Sequence, residues 1–212
     1  MKHFAIGDIH GNFLTMQALL KKLPIGKDDK VIFLGDYIDR GPRSFEVLQY
    51  IMSNPQYIYL MGNHEEMFYL YIENHHMYEE IWARNGGKST LDSLARNNKS
   101  KTLKGYHNFI SGGLSLCYQS ANFIFAHGGI NGTVKDSQMD DFLWTRGGTN
   151  NENKTLIIGH TPMSLSGIMK QDKESKIINI DNGCFLKERV GYGHLIAYCP
   201  EEHLFWEQRN ID

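Results

Sequence analysis

The sequence contains little cysteine and no long apolar run, and each shortage excludes a class of protein. Of 212 residues only three are cysteines, and no two of them form a CxxC pair. Odd in number and widely spaced, they indicate reduced thiols and not a disulfide framework. No apolar run approaches the roughly 20 residues that a membrane helix needs, and no secretion signal is visible. We therefore expect a cytoplasmic protein.

The chain also has little excess charge. Its formal net charge is −2 at pH 7, which gives no reason to expect nucleic acid or a membrane surface as a partner. Hydrophobic residues make up 41% and charged residues 22%, as is typical of soluble globular proteins. The length suits one substantial α/β domain, and we find no repeat or linker. We predict a single domain over residues 1–212.

The sequence does contain one pattern three times. In each copy an apolar run ends at a glycine, polar side chains follow, and a helical pattern begins. The copies are Lys2–Ile6 before Gly7-Asp8-Ile9-His10-Gly11, Val31–Leu34 before Gly35-Asp36-Tyr37-Ile38-Asp39-Arg40-Gly41, and Tyr57–Leu60 before Gly62-Asn63-His64-Glu65. Such runs predict buried parallel strands joined by helices, and ligands bind at the carboxyl ends of such strands.

The side chains in these loops have the chemistry of a metal site. One copy alone could be a capped turn with a solvated Asp-Arg pair. Three copies at one sheet edge would gather several carboxylates, an arrangement that is unfavourable unless a cation is present. Oxygen and imidazole donors without thiolates suit manganese, iron or zinc. The repeated pattern therefore favours a metal centre.

The rest of the chain changes its periodicity twice. The helix after the first loop is predicted to have Asn12 as its cap. From Glu65 to about Ile110 the periodicity predicts a helical insertion beside the site, in which His75-His76 and the polar segment 97–101 are solvated. Thereafter we predict a hairpin and four more strands, forming a second sheet packed on the first. These segments are Leu114–Tyr118 with Asn122–Ala126, then Leu156–Ile158, Ile177–Ile180, Leu195–Tyr198 and Leu204–Trp206.

Two later histidines complete a motif set. His127 lies in Ala126-His127-Gly128-Gly129 and His160 in Gly159-His160-Thr161-Pro162. With GDIHG, GDYIDRG and GNHE, these segments resemble the phosphoprotein phosphatase family, a branch of the calcineurin-like metallophosphoesterases, and above all its small bacterial and phage serine/threonine phosphatases. The resemblance implies a four-layer α/β/β/α sandwich of two mixed sheets with a helical insertion.

The same resemblance implies a ligand set for two divalent metal ions, with manganese favoured and iron or zinc as alternatives. The first ion would be held by Asp8 and His10, the second by Asn63, His127 and His160, and Asp36 would bridge both. The implied reaction is hydrolysis of phosphoserine or phosphothreonine in a phosphoprotein or phosphopeptide by a hydroxide bridging the ions.

The resemblance also implies a proton donor and two phosphate-binding arginines. His64 would be the general acid, oriented by Asp39, because a carboxylate partner raises the pKa of an imidazole. The alternative for Asp39 is a salt bridge to Arg40. Arg40 would bind phosphate oxygens with its planar guanidinium. Arg146 would be a second such residue, or else an exposed loop cation.

One position departs from the family pattern. Phosphoprotein phosphatases usually carry an arginine immediately before Gly-Asn-His-Glu, whereas this chain has Met61. We expect Met61 at the rim of the phosphate site, where a thioether cannot bind phosphate. Diadenosine tetraphosphate hydrolases tend to lack this arginine and are the alternative enzyme class, although Glu65 fits the protein phosphatases better. A non-catalytic metal or phosphate sensor is the alternative outside enzymes.

Overall fold

The structure, a computed structural model, describes residues 1–73, 76–97 and 103–212. The side chains of His75 and His76 and most of the polar segment 97–101 therefore lie outside the described residues. No helix in the described ranges is long and apolar enough to cross a membrane. The three cysteines form no disulfide.

The first part of the chain forms the predicted β-α-β-α-β unit. Strands β1 (His3–Ile6), β2 (Lys30–Phe33) and β3 (Ile58–Tyr59) are parallel, and helices α1 (Phe13–Leu20) and α2 (Ser44–Ser53) connect them. The apolar residues of β1 and β2 are almost completely buried, as their sequences require. All three polar loops therefore end at the same edge of one sheet.

The beginning of α1 is capped from the other end of the chain. Asn12 occupies the cap position of the helix, as predicted, but its side chain makes no capping hydrogen bond. The side-chain amide donates instead to the carbonyls of Ile9 and His10. The carboxylate of Asp212 accepts hydrogen bonds from the backbone N–H groups of Leu14 and Thr15. A carboxylate is favourable there because these first N–H groups have no partner within the helix.

The predicted helical insertion is confirmed for the described residues. It contains α3 (Asn63–Ile72), α4 (His76–Trp82), a π-helical turn (Ala83–Gly87), α5 (Lys88–Arg96) and α6 (Leu103–Gly113). The turn at Ala83–Gly87 is non-helical at Gly86, whose φ of 104° suits glycine. Helices α4 and α5 therefore change direction at this residue.

The second half forms the second sheet and also extends the first. The hairpin is confirmed, since β4 (Cys117–Gln119) pairs antiparallel with β5 (Phe123–Ala126). Strands β8 (Thr155–Ile158) and β9 (Ile177–Asn179) continue that sheet in parallel, in the order β4-β5-β8-β9. The remaining elements are β6 (Gly129–Gly132), α7 (Met139–Trp144), β7 (Gly147–Asn150), α8 (Leu165–Ile168), β10 (His194–Cys199) and β11 (Leu204–Arg209).

Assigning all four later strands to the second sheet was wrong. Strand β10 pairs antiparallel with β1 and with β11, so the first sheet has the order β11-β10-β1-β2-β3. The burial of β10 explains this placement, because Leu195 to Cys199 are all buried between layers. Alternating residues on such a strand contact both the inter-sheet core and the helices.

The fold is the expected sandwich of two mixed sheets, and β6 and β7 form an additional two-stranded parallel sheet. One apolar cluster lies between the sheets and includes Ile32 and Ile196 from the first and Phe125 and Ile157 from the second. A larger cluster joins the first sheet to its helices. On the outer face of the second sheet, Ile124 and Leu156 pack with Phe142 of α7. The layers meet at the edge where the polar loops end.

Candidate metal centre and active site

Five loops from both sheets converge at this edge. Three follow β1, β2 and β3, while His127 follows β5 and His160 follows β8. The carboxylate of Asp36 lies among them, with Oδ1 3.3 Å from His127 Nε2 and Oδ2 3.5 Å from His10 Nε2. Asp36 belongs to both groups of side chains that can hold a metal ion: His10-Asp36-His64 and Asp36-His127-His160.

Asn63 and Asp8 lie beside these groups. Asn63 Oδ1 is 3.0 Å from His127 Nε2 and 3.1 Å from His160 Nδ1, so the three proposed donors to the second ion lie together. The Asp8 carboxylate accepts the backbone N–H of His160 at 3.0 Å. Asp8 is outside both metal-holding groups, and its expected role as a ligand stays a prediction.

The imidazoles are oriented by backbone carbonyls. His10 Nδ1 lies 2.9 Å from the carbonyl oxygen of Ile38, and His127 Nδ1 lies 3.0 Å from that of Leu34. A carbonyl can only accept, so each Nδ1 carries the proton and each Nε2 keeps its lone pair toward Asp36. Such bonds fix the tautomer and the ring orientation that metal ligation needs.

The electrostatics of the site fit divalent cations. Burial lowers the pKa of His10 and of His127, and burial together with His127 lowers the pKa of His160 to about 4. At neutral pH these imidazoles are therefore in the uncharged form that binds metal. Burial alone would raise the pKa of Asp36, but the surrounding imidazoles of His127, His64 and His10 hold it below its ordinary value.

A second acid faces Asp8 in the interior. Burial raises the pKa of Asp8 well above its ordinary value, and the carboxylates of Asp181 and Asp36 raise it further. Burial likewise raises the pKa of Asp181 to about 7. Buried carboxylates at this density require a compensating positive charge. The donor set and its charge therefore fit the two divalent ions that the resemblance implies.

The predicted dyad of His64 and Asp39 is formed. His64 Nδ1 lies 2.6 Å from Asp39 Oδ2, and both side chains are almost completely buried. The carboxylate accepts, so Nδ1 carries a proton and Nε2 faces the site, 3.9 Å from Asp36 Oδ2. Among the described residues Asp39 forms no salt bridge with Arg40, whose guanidinium lies 4.2 Å above the ring of Phe185.

Both predicted phosphate-binding arginines line the pocket at this site. The pocket has a volume of about 330 Å³ and is lined by Asp36, Arg40, Asn63, His64, Asn85, Trp144, Arg146, His160, Thr161, Pro162 and Phe185. Arg40 reaches inward, with Nη1 2.7 Å from His10 Nε2. A phosphate in this pocket would therefore have arginines, imidazoles and two aromatic rings around it.

The backbone of the site is strained. Six non-glycine residues in the described chain have φ in the left-handed region, and five of them are predicted site residues: His10, Asp36, Asp39, Arg40 and His160. This conformation is unfavourable for residues with a Cβ atom. Such residues cluster where the surrounding structure holds side chains in a functional geometry.

Glu65 holds the loop that carries Asp36. Its buried carboxylate accepts backbone N–H groups from Asp36, Tyr37 and Ile38, at 2.8, 2.8 and 3.3 Å, and also from Gly62 at 3.1 Å. A carboxylate suits this position because all its partners are donors. The loop geometry around Asp36 thus depends on one side chain from the first turn of α3.

Replacing Glu65 by glutamine should destabilise the fold. The amide group would point two hydrogens at backbone N–H groups, and each lost charge-assisted bond contributes about 1.5–3 kcal/mol. Each carboxylate oxygen accepts two of the four bonds, so we expect the free energy of unfolding, measured with urea, to fall by about 3–6 kcal/mol. The control Glu66→Gln, whose partner is the Trp144 indole, should change it by less than about 0.5 kcal/mol. Equal effects of the two substitutions would contradict the role of Glu65.

Met61 does not lie at the rim of the phosphate site, where the family resemblance led us to expect it. It is only 8% exposed and lines a second, largely apolar pocket of about 300 Å³ with Tyr69, Ile110, Ser111, Leu114, Leu116 and Met139. It does not line the pocket that contains Asp36. The expected position at the phosphate rim was wrong, because an apolar thioether packs favourably against the insertion and α7.

Met61→Arg should therefore destabilise the protein without improving substrate binding. A larger, charged side chain in this apolar wall is overpacked, at about 1–3 kcal/mol. We expect a lower melting temperature and an unchanged KM for a phosphopeptide. The control Met61→Leu, which conserves volume, should lower stability by less than about 1.5 kcal/mol. A fall in KM with Met61→Arg would show that this side chain reaches the phosphate after all.

Several residues of the site had no role in the sequence analysis. Phe185 lines the pocket and packs edge-on against His10 at 5.0 Å, and Asp181 faces Asp8 from the same segment. No motif marks Phe185 in a single sequence, whereas Asp181 directly follows the predicted strand Ile177–Ile180 and could have been noticed for that reason. Trp82 and Thr90 contact Asp39, and here the Asn85-Gly86-Gly87 break between them was a detectable signal.

Two packed sheets end at a buried centre of carboxylates and imidazoles that can hold metal ions, with two arginines in the adjoining pocket. The sequence profile of the Calcineurin-like phosphoesterase family matches residues 1–194, and the chain belongs to this family. The resemblance to calcineurin-like metallophosphoesterases is thereby confirmed at the level of the family. Its narrower assignment to the phosphoprotein phosphatase branch stays a prediction.

Individual relatives differ in their named substrates. A bis(5'-nucleosyl)-tetraphosphatase PrpE [asymmetrical] from Oceanobacillus iheyensis is 26% identical, with 90% of this chain and 87% of that protein covered. Serine/threonine-protein phosphatase 2 from Escherichia coli is 42% identical over 65 residues, which cover 30% of this chain and 29% of that protein. The crystal structure of a putative diadenosine tetraphosphatase superposes with a TM-score of 0.70 at 18% identity, covering 97% of this chain and 92% of that one.

Proposed function

We propose that the chain is a metal-dependent phosphomonoesterase acting on phosphoserine and phosphothreonine in phosphoproteins or phosphopeptides. The observation that carries this proposal is the buried His64–Asp39 dyad beside the metal-holding groups. A serine or threonine alkoxide is a strongly basic leaving group and needs a proton as the phosphorus–oxygen bond breaks. A nucleotide leaving group has a pKa near 6 and needs little protonation. A dyad of this kind is therefore most useful for an alkyl phosphate.

The metal ions would be held by the residues that the sequence analysis named. Asp8, His10 and Asp36 would hold one ion, and Asp36, Asn63, His127 and His160 the other. The chemistry that two bound divalent cations supply is neutralisation of phosphate oxygens and activation of water at neutral pH. Manganese is our proposal for the metal, with iron or zinc as alternatives, because this donor set accepts all three.

The remaining steps belong to the chain's own side chains. Arg40 and Arg146 would bind the non-bridging phosphate oxygens, and the planar guanidinium of each can donate two hydrogen bonds. His64, with its Nδ1 proton held by Asp39, would donate a proton from Nε2 to the leaving oxygen. Trp144 and Phe185 would flank the substrate and reduce its contact with water.

A second candidate is hydrolysis of dinucleoside tetraphosphates. Two observations favour it: the relative from Oceanobacillus iheyensis that covers most of the chain carries that name, and Met61 gives no arginine to the phosphate pocket. In that reaction the dyad would contribute little, because the leaving nucleotide is weakly basic. The two candidates therefore differ in how strongly turnover depends on His64.

A substrate panel with the manganese-loaded enzyme tests the proposal. The substrates are a phosphoserine peptide, p-nitrophenyl phosphate and diadenosine tetraphosphate, with metal-stripped enzyme as the control. We expect the highest kcat/KM for the phosphopeptide among the two physiological classes. A higher value for the dinucleotide would move the assignment to the second candidate. No turnover of any substrate at full metal occupancy would indicate a non-catalytic metal or phosphate sensor.

A further inference from the structure

The helical insertion contacts the candidate active site at the carboxylate of Asp39. Trp82 of α4 donates its indole Nε1–H to Asp39 Oδ2 at 2.8 Å, and Thr90 of α5 donates its hydroxyl to Oδ1 at 2.6 Å. The backbone N–H of Asp39 in turn donates to Thr90 Oγ1 at 2.9 Å. All three residues are at most 1% exposed. With the bond from His64, the carboxylate thus accepts three side-chain hydrogen bonds.

The break at Asn85-Gly86-Gly87 makes both contacts possible. Gly86 has a φ of 104°, and a Cβ atom there would lie 2.8 Å from Arg40 Cγ. A Cβ atom on Gly87 would lie 2.4 Å from the Trp82 ring. Only residues without a Cβ atom let α4 and α5 approach Asp39 from two sides. Gly86 and Gly87 therefore allow the insertion to contact the site, in addition to separating helices α4 and α5.

The position of Trp82 is itself fixed by packing. Its ring stacks on Phe68 with centroids 5.1 Å apart and contacts Tyr71 at 4.7 Å. In this packed position the indole N–H is directed at Asp39. A rigid donor on each oxygen prevents rotation of the carboxylate and leaves Oδ2 aligned with His64 Nδ1.

We infer that Trp82 and Thr90 are positioning residues for proton transfer by His64. They do not line the pocket and belong to neither metal-holding group, and they would act by holding the Asp39 carboxylate that orients the imidazole. The inference rests on the proposed function, in which His64 protonates the leaving oxygen. It assigns to the helical insertion a part in catalysis, in addition to any part in substrate choice.

Kinetics with two leaving groups test the inference. Trp82→Phe and Thr90→Val should lower kcat for a phosphoserine peptide by about 10- to 100-fold, as is usual when a supporting hydrogen bond is lost. KM, metal content and kcat for p-nitrophenyl phosphate should change little, because nitrophenolate needs little protonation. Thr90→Ser, which keeps the hydroxyl, should restore turnover. An equal loss on both substrates would mean a merely structural role and overturn the inference.

Ser93 supplies a matched control on the same helix. Its buried hydroxyl accepts from the backbone N–H of Phe45 and does not contact Asp39. Ser93→Ala should leave kcat on both substrates unchanged. In the background of His64→Asn, neither Trp82→Phe nor Thr90→Val should lower kcat for the phosphopeptide further. Full additivity with His64→Asn would contradict an action through His64.

A spectroscopic measurement separates this inference from the proposed function. In proton NMR spectra of the zinc-loaded protein, the Nδ1–H signal of His64 is identified by its absence in His64→Asn. We expect this signal to be lost through exchange with water in Trp82→Phe and Thr90→Val, and to persist in Thr90→Ser and Ser93→Ala. Persistence in all four variants would overturn the inference. Absence of any phosphatase activity would overturn only the proposed function, since the NMR result does not depend on turnover.

Discussion

Replacing Asp36 by asparagine should abolish nearly all activity, with kcat reduced by on the order of 10³-fold or more. Asp36 is the residue shared by the two groups that can hold a metal ion, and only a carboxylate offers an anionic oxygen to each. Asparagine keeps the size of the side chain but loses the charge. The imidazoles of His10 and His127 would then face an amide, and metal affinity should fall with turnover.

The measurement requires metal content as well as kinetics. Metal per chain is determined on folded Asp36→Asn after dialysis, and kcat is measured with saturating phosphopeptide and added manganese. Asp92→Asn, an exposed residue on α5, is the control for loss of one negative charge. Full metal occupancy with near-normal turnover in Asp36→Asn would show that Asp36 does not link two ions.

Replacing His64 by asparagine should separate acid catalysis from metal binding. We expect kcat for the phosphoserine peptide to fall by about 10²–10⁴-fold, the range for a lost general acid. Metal content should stay normal, because Asp36 and the remaining imidazoles are unchanged. The fall should be much smaller for p-nitrophenyl phosphate, whose leaving group departs without a proton. The dyad geometry predicts this difference, since Asp39 engages Nδ1 and leaves Nε2 toward the pocket.

The comparison of substrates also tests the alternative role for His64. His64 belongs to one of the groups that can hold a metal ion, so it could act as a ligand. In that case His64→Asn would lose metal and would lower kcat on alkyl and aryl phosphates equally. His107→Asn, which removes an imidazole paired with Glu73 away from the pocket, should leave both rates unchanged.

The first three strands and their loops could be predicted because their signals are local. Each apolar run stops at a glycine within a few residues of Asp8, Asp36 or Asn63, and parallel strands necessarily end at one sheet edge. Different roles for Asn63 and His64 could also be argued from the sequence, because the side chains of adjacent residues cannot easily point at the same ion.

The features that were not predicted correctly depend on contacts between distant parts of the chain. Asp212 caps a helix near Leu14, 198 residues away, and nothing in either segment indicates the other. Strand β10 was assigned to the wrong sheet because an apolar strand buried on both sides fits either sheet by its pattern. For Met61, the family position was known but the direction of its side chain depends on packing with Tyr69 and Leu116, which only three-dimensional structure reveals.

The left-handed backbone at His10, Asp36, Asp39, Arg40 and His160 sets a limit on engineering this chain. Each such residue costs about 1–3 kcal/mol, against a total stability for domains of about 5–15 kcal/mol. Glycine at one of these positions would relieve the strain and remove a working side chain in the same step. Selection for thermal stability alone would therefore favour such glycine variants, which are inactive. A screen for a more heat-stable enzyme must select for turnover at the same time.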